Sequence, residues 1–281
     1  MSQRLTLGEI RERSYKRRDA WWTVWLVDPL ASRLVWLVSP WRWVTPDRLT
    51  TLAFVLGVGS ALCFWRGSYG WLVAGAVLFH LSFVLDCMDG KIARVNGTGS
   101  VFGSWLDYVL DRLRVVICAV GLFGGQYQLT GDFAYVWLAG LVIFLDMFRY
   151  LNALQMGKVK ADMRAALQTP FLEETEAELP AAATGATDVY GDFRARFGTL
   201  VRVRNALVRQ RIRAHLVSGI EFMMFVFIVG PLAHWIIGST VIAAALLIAF
   251  ELLLIYKLWS ATKSFARVGL DAAAVPLGST A

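Results

Sequence analysis

Charge is scarce in this chain. Only 17% of its 281 residues are Asp, Glu, Lys or Arg, whereas soluble domains average about a quarter. With 57% apolar residues and a mean hydropathy of +0.54, this composition excludes an ordinary soluble domain and indicates an integral membrane protein. Cysteine is limited to three positions, Cys63 and Cys118 within apolar runs and Cys87 within the aspartate-containing segment LDCMDG, an odd count without metal-ligand spacing, which excludes a disulfide framework or a thiolate zinc site. Of the three histidines, His80 lies within an apolar run and His234 near the end of another, and neither is given a role. No short apolar core precedes a small-residue cleavage site, so the charged N-terminus is expected to stay in place.

What the chain has instead is long apolar stretches. A helix needs about 20 such residues to cross roughly 30 Å of hydrocarbon. Six stretches qualify, at 49–66, 70–90, 100–124, 133–155, 214–236 and 238–259. The predicted fold is therefore all-α with six transmembrane helices. Three parts follow: an N-terminal segment 1–44, a six-span region 45–259 with an insertion at 157–213, and a tail 260–281. In the first part Trp21, Trp22, Trp25, Trp36, Trp41 and Trp43 lie among basic residues, a mixture suited to interfacial amphipathic helices at headgroup level.

Basic residues fix the orientation. The N-terminal segment is rich in Arg and Lys and the insertion carries ten more, while the opposite loops hold Arg66 alone. By the positive-inside rule both termini face the cytoplasm. The net charge of +7 then reflects topology and contact with anionic membrane lipids, and nucleic acid is not an expected partner. Within the insertion, 157–168 reads as helical, the middle as an acidic, small-residue loop, and 197–213 as a basic surface helix.

Four aspartates stand out against this background: Asp86 and Asp89 in LDCMDGKIAR, Asp107 and Asp111 in GSWLDYVLDR. Carboxylates this close in apolar surroundings are costly to leave unpaired, so divalent metal is their natural partner. Helical spacing puts Asp86, Asp89, Gly90 and Ala93 on one face, and Gly103, Asp107 and Asp111 on one face of the next helix. Between them Asn96-Gly97 supplies a reversal and Ser100 an N-cap, so the two acidic faces are expected to confront each other. Gly90, Ala93 and Gly103 leave room for a ligand against the backbone, and Arg94 adds a fork suited to phosphate. Close packing of membrane helices alone would also favour such glycines.

Read in order, Asp86, two residues, Asp89-Gly90, two residues, Ala93-Arg94, eight residues, Gly103, three residues, Asp107, three residues and Asp111 resembles the signature of the CDP-alcohol phosphotransferase family, with all eight positions met. The resemblance implies transfer of a substituted phosphoryl group from a CDP-alcohol donor to an alcohol acceptor, with release of CMP. It implies that Asp86, Asp89, Asp107 and Asp111 hold two divalent ions, Mg2+ or Mn2+, and that Asp111 also takes the proton from the attacking hydroxyl. Gly90, Ala93, Arg94 and Gly103 would border the nucleotide. It implies a homodimer. The expected location is a bacterial-type plasma membrane, with the aspartate loop on the cytoplasmic side by the positive-inside rule. WVTPDRL resembles the start of the family's first span, where asparagine commonly stands in place of Asp47; no binding role is assigned to Asp47.

The expected donor is CDP-diacylglycerol and the expected acceptor a polar alcohol such as an inositol phosphate, to which the pair Asp111-Arg112 is similar. The alternative is a CDP-headgroup or CDP-polyol donor with diacylglycerol or a polyol phosphate as acceptor. A divalent-cation transporter is a remote alternative, because the carboxylates gather at one depth instead of lining a path. Other polar residues at that depth, Asp146, Arg149, Glu221 and Glu251, are candidates for the acceptor pocket, with Asp146 and Arg149 placed to neutralise each other. Arg149 and Arg213 are the named candidates for the acceptor site.

Overall fold

The computed structural model describes residues 5–41, 43–166, 209–213 and 217–274. Among them the structure is helical, apart from a single bridge between Asp19 and Ile212. The chain divides into two compact units, Met1–Met147 with Leu207–Leu247 and Phe148–Ala206 with Ile248–Ala281. The insertion between 167 and 208, residues 214–216 and the end of the tail lie outside the described residues.

The first unit begins with helix α1 (Leu7–Ser14), set by a capping box: Glu9 donates its N–H to the Thr6 hydroxyl at 3.3 Å and accepts the Thr6 N–H at 2.7 Å. Those bonds from Thr6 hold the Glu9 carboxyl below its ordinary range. A π-helical turn (Thr23–Val27) leads into α2 (Asp28–Val38), whose Pro29 occupies the permissive first turn. Trp25, Trp36, Trp41 and Trp43 are exposed along this segment, in keeping with interfacial helices.

Helix α3 (Pro46–Trp65) opens on a Thr45 cap with Pro46 behind it. Gly67, at φ 72°, turns the chain into α4 (Tyr69–Asn96). Gly97, at φ 64°, ends α4 as a left-handed cap, and Ser100 starts α5 (Val101–Thr130) by accepting the Gly103 N–H at 2.8 Å. The expected reversal and N-cap are both present. Helix α6 (Ala134–Ala166) follows. After the insertion come α7 (Gly219–Met224), a π-helical turn (Phe225–Val229) and α8 (Gly230–Leu232), then α9 (Ile236–Ala274).

Four of these helices are long and apolar enough to cross a membrane: α3, α4, α6 over Ala134–Met163 and α9 over Ile236–Lys263. The count of six is not confirmed among the described residues. Helix α5 has the length, but its first half carries Asp107, Asp111, Arg112 and Arg114. The expected fifth span is the short apolar stretch Gly219–Leu232, interrupted by its π-helical turn. The expected tail from 260 continues α9 as helix to Ala274.

Helix α3 packs against both α4 and α5 in the core of the first unit. Its approach to α5 is set by glycine: a Cβ on Gly121 would stand 2.5 Å from the Ala61 carbonyl oxygen, and one on Gly125 2.5 Å from that of Phe64. A Gly121→Val chain is therefore expected to lose about 1–3 kcal/mol or more of stability, since backbone must move to admit the side chain. Gly70→Ala, with open space around it, should stay within about 0.5 kcal/mol. Thermal melts in detergent compare them, and equal melting points would refute a backbone-tight crossing. In the second unit Glu251 is buried, accepting from Asn152 at 2.7 Å and pairing with Arg149 at 3.0 Å.

Candidate active site

The C-terminal part of α4 and the first half of α5 carry the candidate site residues. Asp86, Asp89 and Asp107 each place a carboxylate oxygen within 4.8 Å of the others. Oxygens coordinating one hard cation sit about 2.0–2.6 Å from it, so ligands on one ion stand at most about twice that distance apart. The spacing fits.

Burial sharpens the point. Asp89 is 6% exposed and accepts a hydrogen bond from the Thr50 hydroxyl, while buried Asp107 Oδ1 has no hydrogen-bond partner among the described residues. Three carboxylates gathered with one oxygen orphaned make a donor set suited to magnesium or manganese.

Asp111 is not in that group. It forms an ion pair with Arg114, one turn further along α5, and its Oδ2 lies 3.6 Å from Arg112 Nη2. Arg114 also reaches Asp86 Oδ1 at 3.4 Å and donates to Ser82 at 3.1 Å. The expected four-carboxylate set is thus three together and one held by arginine.

The residues expected to border a nucleotide divide between the two helices. Gly90 and Arg94 adjoin: the guanidinium lies 3.3 Å from where a Gly90 Cβ would be, and Arg94 Nε donates to the Ser14 carbonyl at 2.9 Å. Ala93 is half-buried on the same helix. On α5, Gly103 faces Asp47, whose Oδ1 is 2.6 Å from where a Gly103 Cβ would be. Asp47, given no role from sequence, is therefore pressed against a motif glycine by the first turn of α3.

The acceptor candidates are already engaged. Arg149 pairs with Glu251 and lies over the Phe250 ring, and Asp146 accepts from Arg112 at 2.5 Å, so the expected neutralisation of Asp146 by Arg149 is replaced by two separate pairs. Arg213 has an Asp19 oxygen at 3.9 Å, and Glu221 accepts from Ser218.

Sequence reasoning passed over Thr50, Arg114 and Lys91. Lys91, inside the motif, is buried with Asp28 at 2.7 Å. A lysine, a threonine and an arginine in apolar helices were the available signals, since such groups need partners.

The sequence pattern of the CDP-alcohol phosphatidyltransferase family matches residues 43–175, which contain every motif position. Residues 43–175 are thus similar to a CDP-alcohol phosphatidyltransferase domain. Among its relatives, the archaetidylinositol phosphate synthase of Methanothermobacter thermautotrophicus is 31% identical over 107 residues, 37% of this chain and 49% of that one. The phosphatidylinositol phosphate synthase of Corynebacterium glutamicum is 38% identical over 88 residues, 31% of this chain and 37% of that one. The chain spans half or less of the length of these curated relatives. A Mycobacterium tuberculosis phosphatidylinositol phosphate synthase solved with CDP-DAG bound overlaps 80% of this chain and 90% of its own, at 19% identity and a TM-score of 0.35, too loose a superposition to bear on the fold. With four helices long and apolar enough to cross a membrane, the chain is an integral membrane protein.

Proposed function

We propose that the chain transfers a phosphatidyl group from CDP-diacylglycerol to the hydroxyl of an inositol phosphate and releases CMP. The observation that carries this reading is the Asp86, Asp89 and Asp107 cluster with its orphaned buried oxygen, placed on the family's motif. The names of the relatives support the choice of an inositol phosphate as acceptor.

Asp86, Asp89 and Asp107 would hold the divalent cation, Mg2+ or Mn2+, which supplies positive charge to the diphosphate oxygens during in-line attack. Asp111, 21% exposed and fixed by Arg114, takes the proton of the attacking hydroxyl. Gly90, Ala93 and Gly103 admit the nucleotide against the backbone, and Arg94, anchored to the end of α1, meets its phosphates. Of the acceptor candidates, Arg149 is answered by Glu251, while Arg213, with its carboxylate 3.9 Å away, is the residue we assign to an anionic acceptor. The basic N-terminal segment supports placing the site on the cytoplasmic side of the plasma membrane, and family resemblance supports a homodimer.

CMP release by the purified chain in lipid nanodiscs tests the reading. CDP-diacylglycerol with inositol phosphate should be turned over in magnesium and not in chelator. Release of CMP only from CDP-choline or CDP-ethanolamine would reverse donor and acceptor, and no release from any donor would refute the transferase reading.

A further inference from the structure

Arg114 lies outside the eight motif positions, yet it is the most confined charged group beside the aspartates. Its side chain is 2% exposed. Its stem occupies the space left by Gly57 on α3, where a Cβ would come within 2.7 Å of Cγ. Its guanidinium lies 5.9 Å from the centre of the Phe79 ring, donates to Ser82 at 3.1 Å, and reaches Asp86 and Asp111 together. An arginine keeps its proton in every protein environment, so this positive charge is permanent.

A second divalent ion shared by Asp86 and Asp111 would have to meet that charge. Arg114 cannot swing aside as a surface arm does, because Ser82, Phe79 and Gly57 hold it on its other sides. Displacing it would leave a buried cation without its carboxylates, which is among the costlier events in a protein interior. Asp86, Asp89 and Asp107 remain grouped for one ion without it moving.

We propose that Arg114 stands in place of a second divalent ion: the site takes one ion at Asp86, Asp89 and Asp107, and the guanidinium supplies the positive charge beside Asp111. The inference rests on the metal assignment made above and departs from the pair of ions that family resemblance implies. Arg114 acts on Asp111 as a positioning residue.

Manganese titration of the full chain in nanodiscs, followed by electron paramagnetic resonance, tests it without turnover. The parent should saturate at one Mn2+ per chain, with the resolved hyperfine pattern of an isolated ion. Arg114→Met should take a second ion and show the broadened spectrum of a coupled pair, as for ions about 3.5–4 Å apart. Adding Asp111→Asn to Arg114→Met should return the count to one. Two coupled ions in the parent overturn the inference while leaving the metal site intact, and this arm does not depend on any variant folding. A folded Arg114→Met chain that stays at one ion also overturns it. No bound Mn2+ in the parent overturns the metal assignment and the inference together.

Discussion

An Asp107→Asn chain is expected to release CMP about a thousandfold more slowly than the parent, yet to melt at a higher temperature when both are stripped with chelator. The loss follows from the cation. A divalent ion supplies several kcal/mol of charge stabilisation in phosphoryl chemistry, and about 4 kcal/mol corresponds to roughly three powers of ten in rate. The gain follows from the orphaned oxygen. Asp107 Oδ1 is buried without a hydrogen-bond partner among the described residues, grouped with the carboxylates of Asp86 and Asp89. An unsatisfied buried polar atom costs about 1–3 kcal/mol, and an asparagine amide offers its neighbours an N–H where the carboxylate offers only like charge. Excess magnesium should invert the order, because a ligand that binds only the folded state stabilises it by mass action and the variant has lost a coordinating oxygen. Melting curves with and without magnesium check the crossing. If the two chains melt together in chelator and respond equally to magnesium, Asp107 is not a ligand.

This opposition of stability and activity shows which parts of the site are legible in sequence and which are not. The motif positions share helical faces by spacing alone, and the capping residues Thr45, Gly97 and Ser100 act locally, so the arrangement of α4 and α5 follows from neighbours in the chain. Arg114 is different. That it would turn toward Asp86 and Asp111 depends on the absence of a side chain at Gly57, on a helix more than fifty positions earlier. Thr50 reaches Asp89 across 39 positions and Asp146 is taken by Arg112 across 34, distances at which periodicity carries no information. The count of six spans is not confirmed among the described residues for a related reason. Apolar length alone admitted 100–124 and 214–236, whereas the buried charges of α5 and the π-helical interruption after Met224 give those segments a different character from the four apolar helices.

The N-terminal helices depend on one of these long-range pairs. Lys91 and Asp28 are 5% and 3% exposed and lie 2.7 Å apart, joining α4 to α2 immediately beside the motif glycine Gly90. Arg211 reaches the other Asp28 oxygen at 3.3 Å while lying over the Tyr15 ring, whose hydroxyl donates to the Asp28 carbonyl at 3.3 Å. Asp28→Asn would leave Lys91 buried with no full opposite charge, a change expected to cost about 3–5 kcal/mol. Replacing both partners, Asp28→Asn with Lys91→Met, should recover much of that loss, since a buried pair exchanged as a unit is often close to neutral. The single variant should also raise the KM for the CDP-alcohol more than it lowers kcat, because α1, whose Ser14 carbonyl anchors Arg94, packs on α2 and α4. Thermal melts of the three chains with donor-dependent kinetics separate the effects. Parent-like melting of Asp28→Asn would reduce the pair to the worth of an exposed one, and the N-terminal helices would then be held to the motif helix by their apolar faces and the bond from Arg94 to the Ser14 carbonyl.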